Sequence, residues 1–201
     1  MTAPVNQLSP ETPEIEPLSR IQLLIAIALT ALVLLVIARL WLLVDTVTRV
    51  PLVVTLSASG LGLVMGLGIT AASAVLHLAW PAYRRSADFY LNFVLRPLAL
   101  TDVVWLGLLP GLSEELLFRG VMLPALGLNV MGVLVSSLCF GVLHMSGLQQ
   151  WPYVVWATVI GVVLGSSAVM TGNLWVPVLA HITANFVSSL FWKLRRADKT
   201  A

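Results

Sequence analysis

Six stretches of the chain are apolar for about the length that one helical crossing of a bilayer needs, roughly 20 residues. The first is Ile21 to Val44, interrupted only by Gln22, Thr30 and Arg39. The second runs from about Leu52 to Trp80. The third, from about Leu98 to Arg119, is weaker and carries Asp102, Glu114 and Glu115. The fourth spans about Leu128 to Met145, the fifth Pro152 to Met170, and the sixth Leu174 to about Leu194. None shows the short alternation of apolar and polar residues that membrane β-strands require. The pattern predicts an all-α polytopic membrane bundle of about six transmembrane helices.

Between these stretches, Tyr83 to Arg96 holds Arg84, Arg85, Asp88 and Arg96 and reads as the sizeable charged loop of the chain. Residues 1–17 hold four Pro, three Glu and no Lys or Arg, which predicts a short disordered tail. A basic n-region followed by a short apolar h-region is missing there, so Ile21 to Val44 is expected to stay as a membrane helix. Residues 18–196 are expected to form one transmembrane domain and 197–201 a C-terminal tail. Neither an internal repeat nor a second domain is visible.

Composition agrees with the pattern. Of 201 residues, 59% are hydrophobic and 10% charged, against about 25% charged in soluble domains, which excludes a water-soluble globular protein. The net charge of +2 is spread along the chain, so nucleic acid is not an expected partner. Cys139 is the single cysteine, leaving no disulfide framework and no CxxC motif.

Cations set the expected orientation, because short cytoplasmic loops retain Lys and Arg. With six crossings, Arg20, Arg84, Arg85, Arg96, Lys193, Arg195, Arg196 and Lys199 share one side, against Arg49 and Arg119 on the other. Both termini are therefore expected in the cytoplasm, consistent with a prokaryotic inner membrane. Trp41, Trp80, Trp151, Tyr153, Trp175 and Trp192 fall near predicted helix ends and read as interfacial anchors. Gly60, Gly62, Gly66 and Gly68 read as small-residue helix packing.

The candidate chemistry consists of polar residues where a bilayer makes them costly. From Gly120 to Trp192 there are 73 residues without Asp, Glu, Lys or Arg, yet His144 and His181 lie among them. Just upstream, Glu114 and Glu115 are adjacent, and Arg119 stands one helical turn after Glu115, at the spacing of an intrahelical ion pair. Glu114, about 100° round the helix from Glu115, is left to point into a cavity. Phe140 with His144, and His181 with Asn185, are also i,i+4 pairs. A carboxylate, two imidazoles and an amide can deprotonate a water and hold an oxyanion, the two requirements of peptide hydrolysis. His77 has no motif partner and reads as an interfacial or packing residue. Asp102 and Arg39 read as structural partners or as residues close to the interface.

Glu114-Glu115-x-x-x-Arg119, Phe140-x-x-x-His144 and His181-x-x-x-Asn185, in that order, resemble the three motifs of the CPBP intramembrane proteases, the CAAX-protease-and-bacteriocin-processing or Abi family. The resemblance covers about residues 98–190. It implies that Glu114 is the general base, that His144 helps bind and polarise the attacking water, and that His181 and Asn185 stabilise the oxyanion. It also implies supporting roles for Glu115 and Arg119. Family substrates are membrane-associated peptides, including prenylated CAAX tails, and some members serve bacteriocin immunity or scaffolding.

Three function classes follow: an intramembrane endopeptidase, a catalytically silent scaffold or immunity-type protein on the same fold, and a small proton-coupled transporter for which a helix broken at Pro110-Gly111 would be suited. Metal is the open point. Family names often include metalloprotease, and Glu114, His144 and His181 are the set that zinc would use. HExxH is missing, and Asn185 is a poor zinc ligand but a good oxyanion donor, so a metal-free mechanism is expected.

Overall fold

A computed structural model describes residues 18–197. The expected tails fall outside it: all of residues 1–17 and, beyond Ala197, residues 198–201. Among the described residues every regular element is helical. They are α1 (Arg20–Val44), α2 (Leu56–Ala79), α3 (Pro81–Leu95), α4 (Val103–Leu117), α5 (Leu123–Leu126), α6 (Val130–Leu143), α7 (Trp151–Thr171) and α8 (Trp175–Ala197). A π-helical turn, Phe118–Met122, joins α4 to α5.

Helix boundaries follow local chemistry. Ser19 and Gln22 form a capping box that starts α1. Thr55 and Asn129 cap α2 and α6, accepting from the backbone N–H of Ala58 and Gly132 at 3.1 and 3.0 Å. Gly127, at φ +105°, ends α5, and Gly172, at φ +59°, ends α7; both backbones favour glycine.

The six apolar stretches coincide with α1, α2, α4, α6, α7 and α8. Of the described helices, α1, α2 and the segment Leu148–Thr171 are long and apolar enough to cross a membrane, and a fourth crossing is counted if the bent pair Pro81–Leu95 and Leu100–Leu126 acts as one. Helix α6 is apolar but only 14 residues long. The expected count of six is thus matched by six apolar helices, not by six of full spanning length.

One expectation is corrected. Tyr83 to Arg96 is not a loop, because α3 occupies Pro81–Leu95. Pro81 opens the helix. Tyr83, Ala87, Tyr90 and Val94 then recur at helical spacing and turn inward, while Arg84 and Arg85 face out. The axis bends by 107° between α3 and the segment that contains α4.

Large apolar side chains cover the outside of the bundle, among them Leu29, Leu32 and Val36 of α1 and Val64 and Leu67 of α2. A soluble protein would bury such faces. With lipid outside, helices associate through close backbone approach, and this is how α8 is held. Gly62 and Gly66 of α2 and Gly107 and Gly111 of α4 all lie against it. A methyl group on Gly66 would stand 2.6 Å from the Ala180 carbonyl, whereas Gly60 and Gly68 meet nothing within 4 Å. The glycine stripe therefore packs helices, through two of its four members.

Polar contacts gather at one end of the bundle. Arg20 clasps Asp102 through two bonds of 2.7 and 2.8 Å, Lys193 donates to the Leu98 carbonyl, and Arg196 bonds Asn92 at 2.5 Å. The start of α1, the α3–α4 bend and the end of α8 thus lie together. Asp102 has Arg20 as its partner, not Arg39, which is exposed on α1. His77 also has a partner, Asp88 of α3, at 2.8 Å.

Candidate active site

Three helices bring the motif residues together. Glu114 and Glu115 sit in the last turn of α4, Arg119 in the π turn, Phe140 and His144 at the end of α6, and His181 in α8. Helix α4 continues through Pro110 and Gly111 without a break, so the feature that suited a transporter is missing.

Glu115 and Arg119 form the expected i,i+4 pair at 2.8 Å, with both side chains fully buried. The cation is held further by the Gly161 carbonyl of α7 at 3.0 Å and by the Phe140 ring, whose centroid is 4.4 Å from Cζ. The motif spacing did not show that Glu115 also accepts a bond from His181 Nδ1 at 2.8 Å. Arg119, Glu115 and His181 form one buried chain across α4 and α8.

Glu114 points the other way. Its Oε2 stands 3.8 Å from His144 Nε2 and 4.0 Å from His181 Nε2. That oxygen is buried and has no hydrogen-bond partner. The tautomers follow from the partners at the far nitrogens. His144 Nδ1 lies 2.9 Å from the Phe140 carbonyl, which can only accept, so Nδ1 carries the proton. His181 Nδ1 likewise donates to the carboxylate of Glu115. In their neutral forms, both rings turn an unprotonated Nε2 toward Glu114.

The centre is thus three acceptors facing one another, and it calls for a donor. Gaps of 3.8 and 4.0 Å exceed a direct hydrogen bond and match a bridging water. Asn185 lies one turn beyond His181 on α8, half-buried, and its side chain makes no hydrogen bond among the described residues. Among the described residues no three His, Cys, Asp or Glu side chains converge closely enough to hold a metal ion.

Phe140 does more than flank His144. Its ring meets His144 at 4.8 Å, His181 at 5.7 Å and Phe118 at 5.5 Å, which fills the space between the motifs with an apolar wall. Sequence reasoning read Tyr153 as an interfacial anchor, but it lies 6.2 Å from His144 and stacks on Tyr90 at 4.6 Å. The signal for this was hidden in α3, whose tyrosines fall on one face only if the segment is helical.

Residues 96–187 match the family model described as type II CAAX prenyl endopeptidase Rce1-like. The uncharacterized protein YpbD of Bacillus subtilis (strain 168) is 36% identical over 103 residues, which cover 50% of this chain and 52% of that protein. The chain thus spans about half the length of the curated relative it matches. No solved structure matches it. Across residues 96–187, which hold all three motifs, the chain belongs to the Rce1-like family.

Proposed function

We propose that this protein is an intramembrane endopeptidase that hydrolyses peptide bonds of membrane-associated substrates with a water held by Glu114 and His144. The observation that carries this reading is the buried, unpartnered Oε2 of Glu114 facing the Nε2 atoms of His144 and His181 at 3.8 and 4.0 Å. Water lodged among them has acceptors for both of its protons, and a low-dielectric surround strengthens each contact.

Glu114 removes one proton as the water oxygen attacks the carbonyl carbon. The resulting oxyanion needs donors. Asn185 supplies a neutral N–H, and His181 donates once the proton gained by Glu114, 4.0 Å away, has moved to Nε2. The same proton then leaves with the amine. Glu115 and Arg119 position His181 by fixing which nitrogen carries its resident proton.

The mechanism uses no metal. Zinc bonds of about 2.0–2.2 Å at tetrahedral angles set ligand atoms about 3.4 Å apart, and the distances of 3.8 and 4.0 Å are wider. The protein is placed with both termini in the cytoplasm of a prokaryotic cell. The gathering of Arg20, Lys193 and Arg196 at one end supports a shared side for these segments.

Purified protein in mild detergent is tested against a library of membrane-spanning and lipid-anchored peptides. Cleavage by the wild type and none by Glu114→Gln is the expected result. A phenotype kept by Glu114→Gln in cells would move the assignment to a silent scaffold.

A further inference from the structure

A peptide bond entering a bilayer loses its water, so its N–H and C=O groups must find partners in the protein. The four residues assigned above supply this unevenly. Glu114, His144 and His181 present acceptors, and Asn185 is the single neutral side-chain donor among them. An extended substrate has several carbonyl groups to satisfy on either side of the bond that breaks.

Two further donors stand beside the site. Tyr153, near the start of α7, lies 6.2 Å from His144, ring to ring. Tyr90 of α3 stacks on it at 4.6 Å with planes 23° apart, and Tyr83 adds a third, near-parallel ring 6.4 Å from Tyr153. The charge of Glu114 reaches the phenols of both Tyr90 and Tyr153. Both side chains are half-buried, and neither hydroxyl makes a hydrogen bond among the described residues. Buried tyrosines normally pair the hydroxyl. Stacking already fixes the rings, so the free hydroxyls serve no packing purpose.

We infer that Tyr90 and Tyr153 form a substrate-binding wall whose hydroxyls donate to carbonyl groups of the peptide flanking the scissile bond. This rests on the protease reading for the identity of the ligand as a peptide. Helix α3 then has a functional reason to lie across the bundle, since it carries Tyr90 to the mouth of the site. The wall acts on binding, because its bonds form with substrate and transition state alike.

Tyr90→Phe and Tyr153→Phe keep the stack and remove only the hydroxyls, so both variants should fold, with unchanged thermal unfolding in detergent as the control. Binding is measured by fluorescence anisotropy of a labelled hydrophobic peptide on the Glu114→Gln background, where no cleavage is needed. Loss of one neutral hydrogen bond is expected to weaken binding about threefold to tenfold, and the double variant correspondingly more. In the active protein the same substitutions should raise KM by a similar factor and leave kcat within about twofold. Unchanged affinity of the double variant overturns the inference, as does a peptide that does not bind at all. If the peptide binds through the phenols but the wild type cleaves nothing, the wall stands and the protease reading falls.

Discussion

His181 hydrogen-bonds Glu115 at 2.8 Å, so the second glutamate of the pair links the arginine of one helix to the histidine of another. Its loss should therefore be felt as structure. Glu115→Ala leaves the fully buried Arg119 without its counterion, a change that costs about 3–5 kcal/mol in comparable buried pairs. Equilibrium unfolding in mild detergent should register a loss of that size. Stability equal to the wild type would mean that the pair does not carry the α4–α8 junction.

The site variants should separate by role. His144→Ala and His181→Ala should each abolish turnover while the protein still inserts. Asn185→Ala removes one oxyanion donor, which typically lowers kcat by about 10² to 10³ and leaves measurable activity. His77→Ala removes only an exposed contact with Asp88 and should be mild. Turnover by His144→Ala near the wild-type level would remove that residue from the chemistry.

Metal dependence is decided by chelation. Activity should survive exhaustive treatment with a chelator, and elemental analysis of active protein should find zinc well below one equivalent. Stoichiometric zinc whose removal kills activity and whose return restores it would replace the metal-free mechanism with one in which Glu114, His144 and His181 are ligands.

Gly66 offers a test of the packing that seats His181. In an exposed helix, Gly to Ala gains up to about 1 kcal/mol. At Gly66 the added carbon would lie 2.6 Å from the Ala180 carbonyl and from Thr183 Cβ, and backbone cannot step aside cheaply. Gly66→Ala should lower stability by about 1–3 kcal/mol and reduce activity with it. Gly60→Ala, which meets nothing within 4 Å, should be neutral or mildly stabilising. Equal behaviour of the two variants would contradict the close approach of α2 and α8.

A reporter fused after Lys199 should read cytoplasmic, because eight cations are assigned to that side and at most two to the other. A second reporter belongs at the α3–α4 bend, between Arg96 and Ala99, since α3 itself would be broken by an insertion. Periplasmic signal at both positions would reverse the orientation.

The sequence made the apolar helices and the ion pair of Glu115 with Arg119 visible, because both depend on neighbours within a turn or on a long uniform run. Helix α3 was hidden because its arginines and aspartate resemble a loop when counted, although Tyr83, Ala87, Tyr90 and Val94 keep helical spacing. Long-range choices left no local mark. Nothing in the chain says that His181 meets a glutamate 66 positions earlier or that Tyr153 lies beside His144. Those contacts are set by how α8 and α7 seat against their neighbours, and glycine positions such as Gly66 and Gly161 reveal it only once the partner helix is known.

The π turn at Phe118–Met122 has a consequence for insertions and deletions. A π turn closes its hydrogen bonds over one residue more than an α turn, and Leu123 N–H reaches back to the Phe118 carbonyl in this way. Deleting one residue here, Gly120 for example, would let the segment relax into ordinary α-helix and would swing everything after it by about 100°. Leu123, now fully buried, would rotate off the core. The stretch behind the glutamates is thus constrained in length more tightly than in composition: side chains there can be exchanged for others of like size, but the number of residues cannot change.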